Sequence, residues 1–82
     1  MEQITIPTTD GEMEVDHMTT LREVKEIRNE WSEFVTRCHN ADNESGRQMG
    51  MEKVKEVQEV VNALENHNVE FDDETGAAYM NE

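Results

Sequence analysis

Residues 20–66 read TLREVKEIRNEWSEFVTRCHNADNESGRQMGMEKVKEVQEVVNALEN, and the pattern of apolar residues in this stretch decides the fold. In its first half the apolar side chains recur at spacings of three and four, as they do along one face of an α-helix. At 100° per residue they cover an arc of about 140°, the width of a face buried against a partner. These residues are Leu21, Val24, Ile27, Trp31, Phe34, Val35 and Cys38. The pattern predicts an amphipathic first helix.

Capping and turn chemistry marks both ends of this helix. Thr20 and Glu23 match a capping box, in which the two side chains satisfy free backbone N–H groups of the first turn. The sequence Asn-Ala-Asp-Asn at residues 40–43 favours a turn. We therefore predict a helix over about residues 20–40.

A second amphipathic helix is predicted over about residues 46–66. Ser45 and Gln48 fit another capping box, and the following Asn and His residues supply stop signals. Gly50 weakens the first turns by about 1 kcal/mol relative to Ala, which suggests that another backbone comes close. The apolar ladder is Val54, Val57, Val61 and Leu64, with Val60 beside it. Because the connecting loop is short, the two helices should lie antiparallel as a helical hairpin.

The N-terminal segment, residues 1–18, contains two short stretches in which apolar and polar residues alternate. The alternation predicts a β-hairpin with its apolar residues on one face and its acidic residues on the other. The apolar residues are Ile4, Ile6, Met13 and Val15. Asp10 and Gly11 provide the turn signal. A lone hairpin is barely stable in water, so it would have to rest on the helices; the alternative is a disordered acidic arm.

The C-terminal segment, residues 67–82, reads as an acidic tail. Residues 69–71 predict a short strand, which could be added to the N-terminal hairpin. The sequence Asp-Asp-Glu-Thr-Gly at residues 72–76 interrupts it. We expect residues 77–82 to fray.

The chain is too small and too polar for two helices to enclose their apolar stripes alone. It has 82 residues, 34% of them hydrophobic, and its single cysteine excludes an internal disulfide. Small proteins usually compensate with a disulfide, a metal or a partner subunit. We expect a small sheet, a second copy of the hairpin or both as the cover, and hence a homo-oligomer such as a four-helix bundle. The candidate self-association residues are Trp31, Phe34, Val54, Val57, Val61 and Leu64.

The formal net charge of −13 is concentrated at the two ends of the chain. Residues 1–18 and 67–82 each carry five acidic residues and no Lys or Arg, whereas residues 19–66 hold ten acidic and seven basic residues. Such a charge repels nucleic acid and anionic lipid and attracts basic protein surfaces. We expect a basic protein surface as the partner, with no direct contact to nucleic acid or membrane. The candidate partner-binding residues are Glu12, Glu14, Asp16, Asp72, Asp73 and Glu74.

The first functional hypothesis is therefore a small regulatory or inhibitory binding protein. Carboxylates displayed by the two ends could imitate the phosphate row of a nucleic acid. Size and charge of this kind are typical of phage-encoded proteins that disarm host factors, which would work in the host cytoplasm. A lone free cysteine also suits a reducing compartment.

The second hypothesis is an oligomer that binds a small anionic ligand, such as a nucleotide, between subunits. Arg47 and Lys53 lie near the start of the second helix, where backbone N–H groups favour anions. In outline, residues 44–64 resemble the hairpin of phage proteins that sequester cyclic nucleotide signals. The third hypothesis is a structural or assembly subunit whose apolar stripes form a multimer.

The sequence contains no arrangement that predicts catalysis. Cys38 and His39 are adjacent, so on a helix their side chains point about 100° apart and do not form a nucleophile–base pair. The three histidines lie in different segments without metal-ligand spacing. We expect no enzyme activity, no metal and no cofactor. No stretch approaches the roughly 20 apolar residues of a membrane span.

Overall fold

The computed structural model describes residues 2–81 and shows two long antiparallel helices with a β-hairpin at each end of the chain. The elements in chain order are β1 Thr5–Thr8, β2 Gly11–Glu14, α1 Leu21–Asn40, α2 Glu44–Glu65, β3 Val69–Phe71 and β4 Ala78–Met80. The predicted mainly α fold with a helical hairpin is confirmed. Met1 and Glu82, the outermost residues of the predicted arm and tail, lie outside the described residues.

Helix α1 begins where its capping residues predict. The Thr20 hydroxyl accepts a hydrogen bond from the Glu23 backbone N–H at 3.1 Å and donates one to the Glu23 carboxylate at 3.2 Å. At the other end, the Ala41 N–H donates to the Arg37 carbonyl, and Asp42 takes a left-handed φ of 55°. This backbone conformation ends the helix, because a residue at that φ cannot continue a right-handed helix.

Helix α2 begins earlier than predicted, and the predicted capping box at Ser45 and Gln48 is wrong. Asn43 is the N-cap, and its side chain accepts a hydrogen bond from the Gly46 N–H at 3.1 Å. Asn and Ser are about equally good N-caps. Asn43 is the N-cap because the left-handed backbone of Asp42 turns the chain immediately before it, so that the helix starts at Glu44. The helix ends at Glu65, about where the stop signals predict, with Asn66 as the C-cap and His67 at a left-handed φ of 57°.

The two helices come close together near their connecting loop. A Cβ atom placed on Gly50 would lie 2.7 Å from Val35 Cγ2 and 2.8 Å from Phe34 Cδ1. One placed on Gly46 would lie 2.8 Å from Cys38 Sγ. The two glycines therefore make room for side chains of α1, whereas the sequence suggested the approach of another backbone.

The N-terminal segment forms the predicted β-hairpin. Strands β1 and β2 pair antiparallel with Thr8 opposite Gly11, so the two-residue turn is Thr9-Asp10, one position before the predicted Asp-Gly pair. The predicted apolar face is confirmed, since Ile4, Ile6 and Val15 are buried and Met13 packs against the core. Strand β1 of this hairpin packs mainly against α2, and the Trp31 indole N–H of α1 donates to the Pro7 carbonyl at 2.9 Å.

Residues 69–80 form a second hairpin, and the expectation of fraying at residues 77–82 is wrong for residues 77–81, the part that the structure describes. Strand β3 pairs with β4 and not with β1 or β2. Gly76, at a φ of +77°, closes the turn between them. Ala77 and Ala78 are buried. Their small side chains give no alternating pattern in the sequence, which is why the strand was not predicted.

Three backbone hydrogen bonds join the two hairpins into one layer. The Ile4 N–H donates to the Ala78 carbonyl at 2.8 Å, the Ala78 N–H to the Val15 carbonyl at 3.0 Å, and the His17 backbone N–H to the Gly76 carbonyl at 2.8 Å. The core lies between this layer and the helices. Its buried residues are Ile4, Ile6, Val15, Val24, Trp31, Val57, Val60, Val61 and Ala78.

Candidate functional site

The hairpin layer brings the two acidic ends of the chain side by side. Asp16 forms an antiparallel bridge with Ala77, and on the other side of Ala77 the Asp72 N–H donates to its carbonyl at 2.9 Å. Asp16, Ala77 and Asp72 therefore lie in one row across three adjacent backbone segments. At about 4.8 Å between neighbouring strands, the Cα atoms of the two aspartates are roughly 10 Å apart.

The two aspartates of this row hold the turns that follow them. The Asp16 carboxylate accepts a hydrogen bond from the Met18 N–H at 2.8 Å. The Asp72 carboxylate accepts two, from the Glu74 N–H at 2.7 Å and the Thr75 N–H at 3.1 Å. Both side chains were predicted to bind a partner, and the structure gives them a local role in addition.

The other four predicted partner-binding residues are exposed. Glu12 and Glu14 lie on the face of β2 opposite the core, about 7 Å apart along the strand. Asp73 and Glu74 lie in the turn between β3 and β4. Among residues 2–81, no hydrogen bond or salt bridge occupies their carboxylates. These four groups are free to meet a partner.

His17 lies beside the turn between β3 and β4, and its backbone N–H donates to the Gly76 carbonyl at 2.8 Å. An open depression of about 410 Å³ is formed there. Its lining residues are His17, Phe71, Asp72, Asp73, Glu74, Thr75 and Gly76. Within residues 2–81, no group of three or more His, Cys, Asp or Glu side chains is arranged to hold a metal ion.

The two residues of the predicted anion site do not meet within one chain. Arg47 pairs with Glu44, with the guanidinium Nε 3.1 Å from a carboxylate oxygen. This hydrogen bond lowers the pKa of Glu44 and raises the pKa of Arg47. Lys53 is six residues further along α2, which places it about 120° around the helix from Arg47.

The predicted self-association residues divide into two groups. Val57 and Val61 are fully buried and Trp31 nearly so, all within the core of a single chain. The partly buried residues of the set are Phe34, Val54 and Leu64. Of the predicted set, Val54 lines an uncovered groove between the helices, together with Ser32, Val35 and Met51. The predicted apolar ladder did not include Met51. Because Met51 precedes Val54 by three residues, the two side chains are neighbours on the same face of α2.

Cys38 and His39 do not share an environment, as the sequence predicts. Cys38 is buried against α2 near Gly46, while His39 is exposed. Between residues 2 and 81, neither helix combines the length and apolar character needed to cross a membrane. Comparison of the chain with protein-family models, with curated proteins and with solved structures finds no match.

Proposed function

We propose that this chain is a small, non-catalytic regulatory or inhibitory protein whose acidic hairpin layer binds a basic surface on a larger protein. The observation that supports the proposal is the row of Asp16, Ala77 and Asp72. Through this row, two acidic segments far apart in the sequence form one surface.

The charge of this layer is large and of one sign. Its acidic residues within the described chain are Glu2, Asp10, Glu12, Glu14, Asp16, Glu70, Asp72, Asp73 and Glu74, and residues 2–18 and 67–81 contain no Lys or Arg. A surface of one sign steers an oppositely charged partner during encounter and repels wrong partners. Because the hairpins are held by the helices, the backbone that carries the carboxylates loses little conformational freedom on binding. A nucleic-acid-binding protein is the kind of partner that such a surface fits.

The experiment compares two variants that remove the same charge from different places. One carries Glu12→Gln, Glu14→Gln, Asp73→Asn and Glu74→Gln. The control carries Glu30→Gln, Glu33→Gln, Glu52→Gln and Glu56→Gln, all exposed positions on the helices. The partner is first isolated from host extract with the unmodified chain and identified by mass spectrometry. Its affinity for each variant is then measured over a salt series.

We expect the hairpin variant to lose at least about tenfold in affinity and to show a weaker salt dependence, because charged pairs at the interface are lost. The control should bind nearly as well as the unmodified chain. Equal losses in the two variants would contradict a specific acidic surface. Deletion of residues 67–82 is unsuitable as a test, because it removes the buried Ala77 and Ala78 and with them part of the core.

A further inference from the structure

One face of the helical hairpin is left open by the hairpin layer. Val60 of α2 faces the hairpin layer, since it belongs with Ile4 and Ile6 to the buried core. Gln58 precedes Val60 by two residues and therefore points about 160° away from it, on the side opposite the hairpin layer. On this open side a groove of about 230 Å³ runs between the helices. Its floor is Val35 and Val54, and Met51 at its edge is 50% exposed. These apolar side chains have no cover within residues 2–81.

The open face also differs from the rest of the molecule in charge. Residues four or seven positions apart lie on one face of a helix. By this spacing Lys25 and Arg28 lie on the same face of α1 as Ser32, and Arg47 and Lys55 lie on the same face of α2 as Met51. Four of the seven basic residues are therefore on the open face. Three of them already have partners in the chain. Lys25 pairs with Glu65 at 3.1 Å, Arg28 donates to Gln58 at 2.9 Å, and Arg47 pairs with Glu44. Because Gln58 is uncharged, the four bases and the two acids Glu65 and Glu44 sum to about +2 on this face, in a chain of charge −13.

We propose that a second copy of this chain covers the open face, with the two copies related by a two-fold axis through the groove. A surplus of two cations is too small to select a strongly charged partner. The uncovered apolar side chains of Val35, Met51 and Val54 instead favour a matching apolar face, which a second copy supplies. The two-fold arrangement also places the acidic hairpin layers on opposite outer sides. About 20 Å of helix then separates them, more than the Debye length of about 8 Å in physiological salt.

The size of the face suits such an interface. Helices of 20 and 22 residues are about 30 Å long, and side by side they present a strip about 20 Å wide. The flat area is roughly 600 Å², and side-chain relief raises the accessible area toward the roughly 800 Å² per partner of a stable interface. The product is a four-helix bundle with an acidic surface on each side, able to bind two partners or two sites on one partner.

The test is the mass of the protein in solution, measured by sedimentation equilibrium at micromolar concentrations. The unmodified chain should have twice its chain mass of 9.5 kDa. The variant with Ser32→Arg and Met51→Arg should be monomeric, because a two-fold axis brings the new cations together beside Arg28 and Lys55 and weakens association about a hundredfold. The control with Met18→Arg and Ser45→Arg adds the same charge outside the open face and should remain dimeric.

All four substituted side chains are exposed in the single chain, so circular dichroism should show unchanged helix content in both variants. A monomeric unmodified chain would overturn the proposal. So would a series of species larger than a dimer, which indicates head-to-tail contacts, or equal dissociation of the two variants. Because the measurement needs no partner protein, its result is independent of the function proposed for the acidic layer.

Discussion

Replacing Gly76 with Ala should destabilise the hairpin layer through two separable effects. Gly76 has a φ of +77°, and a side chain in that left-handed region costs about 1–2 kcal/mol. A Cβ atom at this position would also lie 1.9 Å from His17 Nδ1. The His17 side chain would have to move, at a cost of about 1 kcal/mol. We therefore expect Gly76→Ala to reduce the free energy of unfolding by about 2–3 kcal/mol.

A double-mutant cycle separates the two effects. His17 is exposed, so His17→Ala alone should change stability by less than about 0.5 kcal/mol. In that background Gly76→Ala should cost only the backbone strain, which gives a coupling of about 1 kcal/mol between the two sites. Urea unfolding followed by the fluorescence of the buried Trp31 measures each variant, at one protein concentration because association contributes to stability. Equal losses with and without His17 would refute the predicted contact.

Three further predictions concern the helices. Asn43→Ala should lower the free energy of unfolding, measured in urea, by about 1 kcal/mol, because Asn43 caps α2. Ser45→Ala should lower it by less than half as much. A larger loss for Ser45→Ala would indicate that Ser45 is the N-cap. Val57→Ala should cost about 2–3 kcal/mol in the same assay, because Val57 is fully buried and the cavity left behind adds to the lost burial. Because Arg47 lowers the pKa of Glu44 below its ordinary value of 4.5, the stabilisation by this pair is present above that value and is lost as the pH falls through the lowered pKa. NMR titration should show the low Glu44 pKa, and Arg47→Gln should move that pKa back toward the ordinary value, because the largest cause of the lowering is removed.

The helices were predictable because their signals are local. Thr20 and Glu23 are three residues apart, and the apolar face of α1 repeats every three or four residues, so neighbouring positions contain all the information. The same holds for the alternating residues of the N-terminal hairpin. The start of α2 was predicted two residues late because Asn43 and Ser45 have similar capping preferences. The backbone of Asp42, which the sequence does not reveal, selects between them.

The sequence by itself determined two amphipathic helices, the apolar face of the first hairpin and the concentration of acidic residues at both ends. Only the tertiary structure decided that Ala77 and Ala78 are buried at the start of β4, with Ala77 between Asp16 and Asp72. The physical reason is the range of the interactions. Helix periodicity and capping act over a few residues, whereas the row in the hairpin layer depends on backbone hydrogen bonds between residues about 60 positions apart. The acidic surface and the open helical face on the other side of the molecule both follow from that long-range pairing.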